Sequence, residues 1–530
     1  MPSDLTDIAG QSAKGGFTLL LGDAASTIVL ALGSILIARF LGPEGYGIYS
    51  LTLAVPAIFI SLISLGIDSA AVRFLAKFKS EHEATRSIGF MKNSIIFRFI
   101  IAITAWSICF LSSDILASYL LNRPEIGFYI KLSSSLILFQ ALFNLFYSMS
   151  IGLDSYGIGS ATKICMSLVK SFLAPLLVFI GLGVAGAVLG HVLGFVVATI
   201  AGVLAIYLGP YRNLKRALRD CGEYESGFIE NLRLMIGYGM PLYLSSLMLL
   251  LIDQYRLVLL AHSVSDFEIG NFQAAGNFVT LLAVLSTPIA TALFPAFSKL
   301  NPAGEEIRKA FQHSVKYTGI LIAPAALFTI SMSRILVEIV YGHAYSMAPI
   351  FLSLYTVVYL YSIFGSIVLD NFFNGIGETR INLKATMIYV FSFIPLSVVL
   401  TYLYGVVGLI ISILVSSILK VLYGLFIAKR RLGILIEINN SIRILIASGI
   451  AALSILPFSL NQSIPNYVSL LMGGILYLTI YMTMLPIVKA LQKNDINILR
   501  NLFQNQGMLK PVAELLIKYE SSLIERMKGR

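Results

Sequence analysis

The sequence predicts an all-α polytopic membrane protein of about fourteen transmembrane helices, arranged as two pseudo-repeated six-helix halves plus two C-terminal helices. Three observations predict it. Hydrophobic residues make up 57% of the 530 and charged residues only 12%, with a mean hydropathy of +0.85, whereas a soluble domain carries about a quarter charged residues. Apolar runs of the roughly 20 residues needed to cross the hydrocarbon recur from end to end. Finally, the glycine-rich stretch 37–55 returns at 260–278, an offset of 223 residues that marks a duplicated bundle.

In chain order, Met1 to Lys14 lead into an apolar run without a small-residue cleavage site, so that run is read as span 1, near 16–38, and not as a removable signal. It ends in Leu41-Gly42-Pro43-Glu44-Gly45-Tyr46-Gly47, where glycine accepts positive φ and proline suits a helix start, giving a tight hairpin into span 2 near 46–72. Spans 3 to 6 are expected near 93–112, 127–151, 161–181 and 183–207. Spans 7 and 8, near 235–261 and 269–295, share a hairpin that aligns without a gap on the first, with Ala38 on Ala261, Gly47 on Gly270 and Tyr49 on Phe272. Spans 9 to 12, near 315–332, 346–373, 383–403 and 406–428, complete the second half. There Gly375 answers Gly152 at the same offset, and Gly405-Val406-Val407-Gly408 answers Gly183-Val184-Ala185-Gly186 at 222. Spans 13 and 14, near 443–459 and 467–488, have no counterpart.

The expected domains are therefore 1–207, a linker 208–234, 235–428, the appended pair 429–488 and a tail 489–530. In the tail, Ile496, Leu499, Leu502 and Phe503, then Leu515, Leu516, Leu523 and Ile524, recur at helical spacing, which reads either as amphipathic helices on the inner surface or as a solvated tail.

Charge orients the bundle. Lys and Arg crowd the loops after even spans, among them Arg73, Lys77, Arg86, Arg212, Arg216, Arg219, Lys299, Arg380 and Arg430, while odd loops hold little beyond Arg123 and Arg334. The positive-inside rule then places the even loops and both termini in the cytoplasm, with the hairpins outside the cell membrane. The net charge of +11 lies beside spans, where it reads as topology and contact with anionic membrane lipids and not as nucleic-acid binding. Cys109, Cys165 and Cys221 show no CxxC or Cys/His spacing, so no disulfide frame, metal site or other cofactor is expected. No loop approaches the roughly 50 residues of an independent domain, which argues against an enzyme and puts the work inside the bundle.

The motif Leu41-Gly42-Pro43-Glu44-Gly45-Tyr46-Gly47-Ile48-Tyr49-Ser50 resembles the signature turn of the polysaccharide-export branch of the multidrug/oligosaccharidyl-lipid/polysaccharide exporter superfamily. Further likenesses follow in the expected order over most of the chain: Tyr238-Gly239-Met240-Pro241-Leu242, Asp253, Leu293-Phe294-Pro295-Ala296-Phe297-Ser298 and Asn374-Gly375-Ile376-Gly377-Glu378-Thr379-Arg380. The second hairpin departs from the family pattern, with Ser263-Val264-Ser265 where Leu-Gly is usual. The resemblance implies a flippase that moves a lipid-linked oligosaccharide by alternating access.

Carrying a sugar-phosphate headgroup through a bilayer requires a polar wall and some positive charge. Polar residues share single helical faces at Ser133, Gln140, Asn144 and Tyr147; at Gln273, Asn277, Thr280, Thr287 and Thr291; and at Tyr355, Tyr359, Ser362 and Ser366. Scattered hydroxyls alone read as interhelical glue; the Gln, Asn and Tyr residues add the case for a wet wall. Glycines 186, 190 and 194 form a close-packing face, and His191 beside them reads as a satisfied bundle histidine. Ionisable residues deep in a helix cost on the order of 3 kcal/mol each, which makes them the sharper signal. Lys170, with Lys163 and Ser167 on its face and no acid among its helical neighbours, and Arg256 are expected to bind substrate phosphate. Asp253, within pairing distance of Arg256, and Asp23, which fits either a cation-coupling site or a helix hydrogen bond, are the expected ion-coupling residues. Asp68, Arg98, Lys131, Asp370 and Lys420 lie nearer span ends, where snorkelling accounts for them.

The leading reading is a flippase for a lipid-linked oligosaccharide, with H+ or Na+ as candidate coupling ion and glycosyltransferases or a polymerase as candidate partners. The alternative is a cation-coupled multidrug antiporter of the same superfamily. A membrane glycosyltransferase is disfavoured because no loop carries clustered acids or a DxD.

Overall fold

The computed structural model describes residues 2–217, 227–301, 304–461, 463–492 and 495. Cys221, Arg219 and the tail residues from Ile496 onward lie outside the described residues, as do the side chains of Thr287 and Thr291. Among the described residues every regular element is helical. Among these residues eight helices are long and apolar enough to cross a membrane, or nine when the bent pair Ala348–Phe364 and Ser366–Gly375 counts as one span.

The contacts divide the chain into two compact units, Met1–Gln273 and Ala274–Arg530. The first holds α1 (Pro2–Ile63), α2 (Ile67–Ser80), α3 (Ala84–Leu111), α4 (Gly127–Ser133), α5 (Ser135–Gly152), α6 (Tyr156–Leu177), α7 (Gly183–Ile206), α8 (Phe228–Ser263) and the start of α9 (Asp266–Ser298). The second holds the rest of α9, then α10 (Glu305–Ser331), α11 (Ser333–Val340), α12 (Ala348–Leu360), α13 (Ser366–Gly375), α14 (Thr379–Leu432), α15 (Ile438–Leu460) and α16 (Asn466–Ile487).

Two of the long helices, α1 and α14, are each two expected spans joined at glycine, and a third glycine break separates α6 from α7. Gly42 interrupts α1 at φ 68 and ψ 175. Gly183 precedes α7 at φ 52 and ψ −137, and Gly405 interrupts α14 at φ 57 and ψ −137, so the pair aligned at offset 222 shares one backbone conformation. That region is essentially closed to residues with a Cβ. Likewise Asp154 and Gly377, 223 residues apart, both adopt left-handed φ, at 54 and 82.

The same offset governs a direct contact. A Cβ on Gly47 would collide with the carbonyl of Asp266, and one on Gly270 with the carbonyl of Pro43. Asp266 is the residue 223 after Pro43, so the contact is reciprocal in register, as a local two-fold between the hairpins requires.

Two expected spans prove to be broken. Span 2, expected over 46–72, stops at Ile63 and restarts at Ile67, with Leu65 and Gly66 in left-handed conformation. The cause is close approach: Gly66 abuts the backbone of Gly239 on α8, leaving no room for a Cβ on either. Span 10, expected over 346–373, bends by 50° at Gly365, whose φ is 84.

Small residues let the helices of the first unit pack closely, which is how helices associate where lipid removes the hydrophobic drive. Gly22 and Gly33 of α1 lie against Ser160 and Ser171 of α6, whose hydroxyls donate to the carbonyls of Thr18 (3.1 Å) and Val29 (2.9 Å). Gly186, Gly190 and Gly194 of α7 face Leu177, Ala174 and Lys170, giving the expected glycine face its packing partner.

Candidate functional site

The close packing of α1, α6 and α7 sets two polar clusters into the first unit, two helical turns apart along α6. In the first, Lys163 Nζ lies 2.7 Å from Asp23 Oδ1, and the Tyr147 hydroxyl donates to the same oxygen at 3.3 Å. Lys163 also sits 5.5 Å from the centroid of the Tyr147 ring, a cation–π distance. Asp23 therefore joins the polar stripe of α5, whose other members Gln140 and Asn144 are half-buried.

In the second cluster, Lys170 Nζ lies 3.2 Å from His191 Nε2, and His191 Nδ1 lies 3.0 Å from the Tyr49 hydroxyl. The imidazole stacks on Phe195, with centroids 5.6 Å apart at 20°. His191 is thus the satisfied histidine the sequence suggested, but its partner is the lysine singled out for substrate. Tyr49 belongs to the glycine-rich motif, so the chain of contacts runs from α6 through α7 to the first hairpin.

Arg256 Nη1 bonds Asp253 Oδ1 at 3.1 Å, the i,i+3 pair expected from their spacing; the Asp253 side chain is 66% exposed and that of Arg256 16%. Gln273 is half-buried at the end of the first unit. In the second unit, Asn277 Nδ2 donates to the Tyr341 hydroxyl (3.1 Å) and the Tyr359 hydroxyl donates to the carbonyl of Val279 (3.0 Å). The Thr280 hydroxyl returns to its own helix at the Gly276 carbonyl, as glue residues do.

Several charges assigned to snorkelling are instead paired inside the protein. Arg98, 1% exposed, reaches Asp68 Oδ1 at 2.5 Å and donates to the carbonyls of Ile63 (3.0 Å) and Ser64 (3.4 Å). Lys420 Nζ lies 2.7 Å from Asp370 Oδ2, at a cavity of about 260 Å³ also lined by Tyr359, Tyr361, Ser366 and Ser417. The sequence places each pair's members 30 and 50 residues apart, so no helical spacing could reveal them. Among the described residues no cluster of His, Cys, Asp and Glu is placed to hold a metal ion.

Long apolar helices broken at glycines, with charges paired between them, define a multi-pass membrane protein. A family model described as "Polysaccharide biosynthesis protein" matches residues 12–301, more than half of the chain, and the chain belongs to that family. Among solved structures it is similar to the lipid II flippase MurJ in an inward closed conformation, at 16% identity and TM-score 0.70, covering 88% of this chain and 98% of that one. It is also similar to an inward-facing MATE-family multidrug resistance transporter of the MOP superfamily, at 17% identity and TM-score 0.64 over 77% and 94% of the two chains. A mutant of the Vibrio cholerae MATE transporter VcmN follows at 17% identity and TM-score 0.53, over 81% and 98%. No curated protein sequence matches the chain.

Proposed function

We propose that this protein is a flippase carrying a lipid-linked oligosaccharide from the inner to the outer leaflet of the cytoplasmic membrane by alternating access, as a carrier with no catalytic step. The observation that carries the reading is Lys170: a lysine within a membrane-spanning helix whose amine lies against an imidazole and in no carboxylate pair among the described residues, in a member of a polysaccharide-biosynthesis family. An ammonium without a carboxylate partner has its charge uncompensated, and a phosphate that reaches it supplies the counter-charge. Arg256, shared with Asp253, supplies a second and weaker attraction; Gln140, Asn144 and Gln273 of the first unit, and separately Asn277 and Tyr359 of the second, are the groups proposed to offer the sugar amide and hydroxyl contacts. Attraction divided among several groups lets the phosphate leave again.

Both termini lie in the cytoplasm in this reading, and the two hairpins outside. The six-helix halves 1–207 and 235–428 are related by a repeat at an offset of 222 to 223 residues, which the matched conformations of Gly183 and Gly405 support. Asp23, together with Asp253, is proposed as the site through which H+ or Na+ couples to transport; a proton on Asp23 would release Lys163 and Tyr147. Glycosyltransferases or a polymerase are the proposed partners. A second reading, a cation-coupled multidrug antiporter, draws on the MATE-like fold and on the Asp23–Lys163 pair in α1 and α6.

The test is delivery of glycan to the outer face, scored at matched protein level for Lys170→Ala, Arg256→Ala, the double variant, and each residue exchanged for the other base. Loss in the Ala variants with partial retention in the basic exchanges is expected. Full transport by the double Ala variant would sink the phosphate role, and efflux of cationic drugs with unchanged glycan delivery would favour the antiporter.

A further inference from the structure

We propose that His191 is a positioning residue that aims the Lys170 ammonium while leaving its charge uncompensated, and that Tyr49 fixes the tautomer in which His191 does so. The proposal rests on the flippase reading only for the ligand, a phosphate group, and otherwise on donor and acceptor chemistry.

An ammonium has three N–H donors and no acceptor, so His191 Nε2, 3.2 Å from Lys170 Nζ, must be the unprotonated ring nitrogen. Nδ1 then carries the proton and donates to the Tyr49 hydroxyl at 3.0 Å. A protonated ring would turn Nε2–H toward the ammonium, two like charges at contact, so the pair is compatible with only one cation.

The partner's chemistry is the informative part. Other cations set between the helices have carboxylates at hand: Lys163 has Asp23, Lys420 has Asp370, Lys316 has Asp495 and Arg98 has Asp68. Among the described residues no ion pair includes Lys170. A carboxylate there would neutralise the lysine and repel an incoming phosphate, whereas an imidazole fixes one N–H and leaves two, with the full charge, for a ligand.

The backbone is built to hold this geometry. Gly194 brings α7 against the Cβ of Lys170, Gly190 brings it against Ala174, and the Phe195 ring supports the imidazole face. At the far end, Tyr49 lies two residues beyond Gly47, which touches the start of α9. Lys170 is thereby tied through two hydrogen bonds to the first hairpin.

Two measurements on the full chain, purified into phosphatidylcholine nanodiscs, test the proposal. With selective ¹⁵N-histidine labelling, the ring signal lost in His191→Gln identifies His191. It is expected as a neutral Nδ1–H ring whose Nε2 resonance moves in Lys170→Met. Binding of farnesyl diphosphate is the second measurement. His191→Gln, which places an amide oxygen near Nε2, is expected to bind within about twofold of the unmodified protein, while His191→Leu weakens binding about tenfold, a loss of ~1.4 kcal/mol. His191→Glu is expected to weaken it at least as much as Lys170→Met does. A merely structural histidine predicts that Glu and Gln behave alike. An Nε2–H ring, or unchanged binding in both the Leu and Glu variants, overturns the positioning role. Failure of the unmodified protein to bind farnesyl diphosphate, with the ring as expected, overturns the phosphate reading instead.

Discussion

At the scale of single residues, the proposed division between a structural charge and a substrate-binding one rests on its partner. Arg98 is almost wholly buried and gives its protons to a carboxylate and two carbonyls at the break between α1 and α2. Removing one member of such a pair strands the other, at a cost of about 3–5 kcal/mol. Arg98→Met should therefore lower the thermal stability and yield of monodisperse protein, while Lys170→Met should leave both close to the unmodified level. Equal yields for the two variants would contradict that division. Glu338, between α11 and the second unit's later helices, supplies a pH-dependent case. Burial pushes its carboxyl up, but hydrogen bonds from Arg334 (2.9 Å) and Asn466 (2.8 Å) and the neighbouring Arg334 and His343 charges outweigh that and hold it below the ordinary value of 4.5. A carboxyl depressed in the folded state contributes stability that is present above its unfolded pKa and is lost as pH falls through the folded one. The thermal stability of the purified protein should thus fall on acidification below about pH 4.5, and Glu338→Gln should flatten part of that dependence.

At the scale of elements, the sequence was most legible where backbone conformation alone decides. Gly42, Gly183 and Gly405 sit at breaks because the chain there adopts conformations that a Cβ disfavours, and such glycines stand out in an apolar sequence. The break at Leu65 and Gly66 was not legible: Leu65 carries no turn signal, and what ends α1 is the approach of Gly239 from a helix more than 170 residues later. The site divides in the same way. The Asp253–Arg256 pair follows from helical spacing, whereas Lys170–His191 and Asp23–Lys163 join different helices, which spacing within one helix cannot report. The reciprocal contact of Gly47 and Gly270 gives a test at this scale. Gly47→Ala and Gly270→Ala each place a methyl where a carbonyl of the other hairpin lies, so each should reduce glycan delivery at matched protein level. Gly157→Ala, where a Cβ meets nothing within 4 Å, should not. Undiminished transport in both hairpin variants would show that the close approach is dispensable.

At the scale of the whole molecule, function depends on which way the bundle faces, and only charge speaks to that. Arg212, Arg216, Lys429, Arg430 and Arg431 cluster at helix ends on the even side, while Glu44 sits in the first hairpin between two helical stretches of α1. Lysine and arginine near span ends resist translocation, and the proposed orientation follows from placing their side in the cytoplasm. In the proposed reading a lipid-linked sugar made on that side meets Lys170 from within and leaves toward the hairpins. Binding can drive such a cycle only if the two orientations of the carrier hold the phosphate with different affinity. Orientation and direction are consequently one claim. Single cysteines introduced at Glu44, Arg216 and Arg430, in a background with Cys109, Cys165 and Cys221 replaced by serine, should separate under a membrane-impermeant maleimide applied to intact cells. The residue-44 site is expected to label and the other two to label only after the membrane is opened. Labelling of positions 216 and 430 from outside, with position 44 protected, would invert the topology and with it the direction of transport.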